Sequence, residues 1–187
     1  MSAVSYHLGS MGSVMLLSLP LLILFRTLWL MHKRQSPRWG HELLLWLFVL
    51  YLIGLASQTL TFSAVRLSNV QHLMEQAALR WETGQGINFT PGYTIRSMLE
   101  KGSRAQQLIN LAGNVLIFVP LGFLPPLLWR RWRHFWTAVP LSAAVSCLIE
   151  FLQFFLNRSV DVDDLILNTL GGLLGYLLFC LLPQKLK

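Results

Sequence analysis

The chain has 187 residues, of which 54% are hydrophobic and only 12% charged, and its mean hydropathy is +0.53. That is more apolar material than one soluble core of this size buries, so the composition fits a small polytopic membrane protein. The formal charge of +7 and pI near 10.0 would suggest nucleic acid in a soluble chain. In a membrane chain the same excess marks cytoplasmic loops and contact with anionic lipid, and no nucleic-acid partner is expected.

A spanning helix needs about 20 largely apolar residues. Five runs qualify, near residues 8–31, 42–62, 107–129, 135–156 and 164–182. The segment MSAVSYHLGSMGS carries no Lys or Arg ahead of the first run, so that run reads as a retained span rather than a cleaved signal. Lys33, Arg34 and Arg38 follow the first span, Arg130, Arg131 and Arg133 follow the third, and Lys185 and Lys187 close the chain. These alternate with the N-terminus, which has no Lys or Arg, and with the fourth-to-fifth loop, which has only Arg158; residues 63–106 also carry five basic residues, but a loop of that length constrains orientation less than short ones do. The positive-inside rule therefore places the N-terminus outside and the C-terminus in the cytoplasm. Trp29, Trp39, Trp129, Trp132 and Trp136 gather at the same boundary, as an aromatic belt does. Arg26, inside the first span, is expected to snorkel to that interface.

The organisation that follows is an all-α bundle in four parts. Residues 1–62 hold two spans, 63–106 form an extracytoplasmic loop, 107–182 form a three-helix core and 183–187 a cytoplasmic tail. Within the loop, the spacing of Val65, Leu67, Val70, Leu73, Met74, Ala77 and Trp81 predicts an amphipathic helix on the outer membrane surface. After it, GQGINFTPGY, with its glycines and Pro91, predicts a turn or re-entrant loop. Cys147 and Cys180 lie in apolar runs and read as packing residues.

Polar residues inside the core spans carry the functional signal. At 1.5 Å per residue, Asn114 and Glu150 lie about 10 Å and about 9 Å from the outer ends of their helices, and Asn168 about 6 Å. They share one level. A rotation of about 100° per residue puts Asp161, Asp164, Asn168, Gly171 and Gly175 on one stripe of the last helix, with Asp163 pointing elsewhere. Glu150 and Gln153 share a face of the helix before it. Gly171 and Gly175 form a small-xxx-small pattern that lets another helix approach closely on the polar side. The stripes are thus expected to converge on a pocket, with Asp164 and Asn168 facing Glu150.

Competing structural readings apply to most of these residues. Aspartates at a helix start favour capping and the macrodipole, and Asp163 is the one best suited to capping or support. Asparagines in membrane helices can bond neighbouring helices. Pro120, Pro125 and Pro126 bend a helix, and Gly122 lies between them. Glu150 has no such explanation, since an ionisable group in a span costs about 2.5 kcal/mol or more unless partnered.

The order NVLIFVPLGFLPPLL from Asn114 to Leu128, then Glu150-x-x-Gln153, Arg158, Asp161-Val162-Asp163-Asp164, Asn168, Gly171 and Gly175 resembles the VanZ-like membrane proteins. INFTPGYTIRSML resembles that family's Asn-x-x-Pro-Phe segment, with Gly92 in place of the phenylalanine. The resemblance implies an association with reduced susceptibility to teicoplanin, a lipid-tailed glycopeptide that acts outside the membrane.

Three functions are weighed on this basis. The leading one is binding of an outer-leaflet amphiphile, such as a polyprenyl-linked envelope precursor or a lipoglycopeptide. Asn114, Gln153 and Asn168 would then supply hydrogen bonds, Arg158 would pair with phosphate, and Glu150 with Asp164 would hold a proton or a divalent cation. The second is a metal-dependent intramembrane enzyme acting on a lipid phosphate, suggested by DVDDLILN, although no serine triad or zinc spacing appears and no cofactor is implied. The third is a small proton-coupled transporter using Glu150, for which no inverted repeat is visible. Membrane lipids are the expected partners, with a homo-oligomer or a larger membrane partner as further candidates.

Overall fold

The computed structural model describes residues 3–33, 38–59, 70–100, 104–156 and 158–183. The first residues of the expected amphipathic helix, 65–69, and the tail lysines lie outside them. Among the described residues there are seven α-helices and two short strands. Five of the helices are long and apolar enough to cross a membrane, and they coincide with the five expected runs. The protein is an all-α membrane protein.

The chain divides into two compact units, residues 1–61 and 62–187. The first is a helical hairpin of α1 (Ala3–Lys33) and α2 (Trp39–Thr59). Its apolar side chains stand largely on the surface, Leu16, Leu17, Leu21 and Phe25 among them, as hydrocarbon solvent permits. Arg26 has a partner on the next helix. Its Nε and Nη2 donate to the two carboxylate oxygens of Glu42 at 2.8 and 2.6 Å, and its guanidinium lies 4.5 Å from the Trp29 ring centroid. A bidentate partner on the next helix satisfies the cation where it stands.

The second unit begins with a connector of α3 (Val70–Thr83), β1 (Ile87–Asn88) and α4 (Tyr93–Glu100). The core follows, with α5 (Arg104–Leu128), α6 (Phe135–Phe155), β2 (Val160–Asp161) and α7 (Val162–Leu181). A 3-10 turn over Arg130–Trp132 joins α5 to α6. Strands β1 and β2 pair in parallel, Ile87 with Val160 and Asn88 with Asp161. This bridge ties the connector to the α6–α7 junction.

Helices α5 and α7 meet backbone to backbone, as glycine allows. A Cβ built at Gly122 would lie 1.8 Å from the Gly172 carbonyl oxygen, and one at Gly171 or Gly175 would lie 2.0 Å from the carbonyl oxygen of Val115 or Val119. Around this seam Phe118, Leu121, Pro125 and Pro126 are fully buried. Prolines 125 and 126 do not end α5, which continues to Leu128. Arg133 supports its end by donating from Nε to the Pro126 carbonyl at 3.1 Å. On α6, Ser142 is wholly buried and abuts Gly172.

The cysteines correct the expectation that they are packing residues: both are exposed.

Candidate functional site

The aspartates at the start of α7 take three separate partners. Asp161, in extended conformation, is the N-cap of α7, and its Oδ1 accepts from the Asp163 amide at 2.9 Å. The same oxygen accepts from Asn88 Nδ2 at 2.9 Å. The Asp161 amide in turn donates to Glu150 Oε2 at 3.0 Å.

Asp163 is fully buried. Its carboxylate accepts from the amides of Gly92, Thr94 and Ile95 at 2.5, 2.8 and 3.0 Å, which are donors at the N-terminus of α4 left without intrahelical acceptors. Asp163 therefore caps a helix about 70 residues earlier in the chain. Gly92 sits at φ +79°, a conformation other residues reach only with strain. Asp164 accepts from Asn114 Nδ2 at 2.7 Å, joining α7 to α5. Asn168, also on α7, donates to the Ser146 hydroxyl on α6 at 2.9 Å.

Arg80, near the end of α3, completes the junction and carries no signal in the sequence. Only 6% exposed, it donates to the carbonyls of Gln85, Phe154 and Gly86 at 3.2, 2.9 and 3.2 Å, and to that of Arg158. Its guanidinium lies 5.6 Å from the Phe154 ring centroid. One planar cation thus serves a last-turn carbonyl of α6 and the segments that lead into β1 and β2. Asn88 is the second residue that sequence reasoning missed. Besides Asp161 it donates to Thr94 Oγ1 at 3.1 Å, and its own Oδ1 accepts from the Thr90 amide.

Beside this network lies a cavity of about 400 Å³. Helix α6 supplies Cys147, Glu150, Phe151 and Phe154, at the spacing of one helical face. The start of α7 adds Val162 and Leu165, and the connector adds Trp81, Ile87 and Phe89. The lining surface is almost wholly apolar, although Glu150, Asp161 and Cys147 are among the residues that supply it. Glu150 is 8% exposed.

The expected pocket differs from this one in its walls. Asn114, Asp164 and Asn168 are engaged in bonds between core helices and do not line the cavity, and α5 contributes nothing to it. Gln153 is buried on α6 outside the lining. Arg158 is exposed, within Coulombic reach of Glu150 and Asp164. Among the described residues no group of three or more His, Cys, Asp or Glu side chains is arranged to hold a metal ion, so Glu150 and Asp164 have no third such ligand beside them.

Helices of spanning length, carrying a hydrogen-bonded acidic junction and an apolar cavity beside it, define a multi-pass membrane protein. The sequence profile of the VanZ/LLP1 family matches residues 48–183, and the chain belongs to that family. No curated protein and no solved structure matches it.

Proposed function

We propose that this VanZ/LLP1-family protein binds an amphiphile of the outer leaflet, housing part of its apolar chain in the cavity beside α6. The class includes polyprenyl-linked envelope precursors and lipid-tailed glycopeptides, which connects the site to the cell-envelope and teicoplanin responses that the family resemblance implies. The observation that carries this reading is the cavity, whose volume of about 400 Å³ falls in the range of small-molecule sites and whose lining is almost wholly apolar. The basic loops argue for an orientation with the α6–α7 junction on the outer side, where such molecules are presented. Asn114, Asp164 and Asn168 act in this reading by holding the helices that form it.

Alkylation of the two cysteines tests the proposal within one molecule, since Cys147 lines the cavity and Cys180 does not. In purified protein, adding a bacterial membrane lipid extract is expected to slow labelling of Cys147 and leave Cys180 unchanged. Equal rates for both thiols with and without the extract would contradict it. In cells, expression of the chain is expected to lower teicoplanin susceptibility, and the cavity-filling Cys147→Trp variant to lose that effect at equal protein level.

A further inference from the structure

The end of the core far from the α6–α7 junction has a charge pattern of its own. No aspartate or glutamate occurs between Glu100 and Glu150 or after Asp164, so the end of α5, the start of α6 and the end of α7 contain no carboxylate side chain. Against that background the turn joining α5 to α6 carries Arg130, Arg131, Arg133 and His134, and Arg130, Arg131 and His134 are exposed. The ion pairs among the described residues, Arg26–Glu42 and Arg96–Glu100, lie elsewhere.

The backbone of this turn spends its acceptors inside the protein. The Trp132 amide donates to the Trp129 carbonyl at 3.1 Å and the Arg133 amide to that of Arg130 at 3.2 Å. The Thr137 hydroxyl donates to the Arg131 carbonyl at 3.0 Å, and the Tyr176 hydroxyl of α7 to the Arg133 carbonyl at 3.2 Å. The amides of Thr137 and Ala138 share the His134 carbonyl at 3.0 Å. With Arg133 Nε committed to the Pro126 carbonyl of α5, the turn is bonded to all three core helices. What it presents outward is the guanidinium groups of Arg130 and Arg131, which donate and cannot accept. Arg131 lies 5.3 Å from the Trp132 ring centroid, a stacking that steadies its plane. Beside them Trp136 is 81% exposed, and tryptophan favours the level of the lipid head groups. A fixed surface of donors and positive charge at that level complements a lipid phosphate.

We propose that the α5–α6 turn is a binding site for an anionic phospholipid, with Arg130 and Arg131 donating to the head-group phosphate and Trp136 lying against the glycerol and the upper chain. The basic loops argue for the cytoplasmic leaflet as its source, so this site and the cavity draw on opposite leaflets, and neither depends on the other. An occupied site stabilises the core by mass action, because the turn holds α5, α6 and α7 together.

The test separates a site from the general pull of net charge. The full chain in detergent micelles is titrated with dioleoylphosphatidylglycerol or dioleoylphosphatidylcholine, and bound lipid is read by native mass spectrometry and by the rise in unfolding temperature. Wild-type protein is expected to bind the anionic lipid about tenfold more tightly, an advantage that shrinks as salt is raised. Arg130→Gln with Arg131→Gln removes that preference, and an unfolding temperature unchanged in phosphatidylcholine verifies the fold. The single Arg130→Gln variant loses about threefold by the same reasoning. Lys33→Gln with Arg38→Gln takes the same charge from the first basic loop and keeps the preference intact. Equal losses in the two double variants overturn the proposal, since net charge alone then accounts for the binding. Equal binding of the two lipids by wild-type protein overturns it as well. So does displacement of the anionic lipid by equimolar glycerol 3-phosphate, which assigns the site to a free phosphate.

Discussion

Along the α5–α7 seam backbone meets backbone, with Gly122, Gly171, Gly172 and Gly175 leaving no space for a single added carbon. On the other side of α7, where α6 and the connector come together, aromatic side chains stand around an open volume of about 400 Å³. The same helix start serves both regions. Close packing at the seam fixes α7, and the fixed α7 lets Asp161 and Asp163 reach across to the connector that walls the cavity. Stability and binding are thus assigned to different faces, so substitutions should separate them.

The largest effect is expected at the seam. Gly171→Val places branched carbons where a Cβ alone would lie 2.0 Å from the Val115 carbonyl, and should destabilise by more than about 4 kcal/mol. Its measure is the loss of monodisperse protein in detergent. Asp163→Ala comes next, leaving three amides of the α4 start without their acceptor, at about 3 kcal/mol. Thermal unfolding reads the loss, and proteolysis within residues 84–100 shows whether it is local to the connector. Arg80→Lys keeps the charge but cannot reproduce a planar fork to several carbonyls, and is expected to cost about 2 kcal/mol in the same assay. Asn168→Ala, which removes one bond to Ser146, should cost about 0.6 kcal/mol, the average for polar contacts between membrane helices. A large loss at Asn168 with little at Gly171 would reverse the assignment of the two faces.

The sequence displays the seam far better than the cavity, and the reason lies in how each is encoded. Length and hydropathy reveal the spans, because the bilayer sets both. The spacing of Gly171 and Gly175 reveals the close approach, because a helix repeats every 3.6 residues. The roles of the aspartates are less visible. A helical wheel assumes helical geometry, whereas Asp161 stands before the first turn in extended backbone, so its direction does not follow from the wheel. Asp163, Asn88 and Arg80 bind partners 68 to 78 residues distant, mostly backbone groups whose availability no residue type announces. The same limit hid the Arg26–Glu42 pair, 16 residues apart on two different helices. The aromatic face of α6 repeats at helical spacing, yet a face that lines a void and a face that meets lipid have the same composition.

The account's central claim is that the cavity holds an amphiphile, and native mass spectrometry of the protein released from its own membrane tests it most directly. Wild-type protein is expected to retain one amphiphile that Cys147→Trp, which fills the cavity from an exposed position, fails to retain at unchanged thermal stability. An identical set of bound lipids on both proteins would contradict the claim.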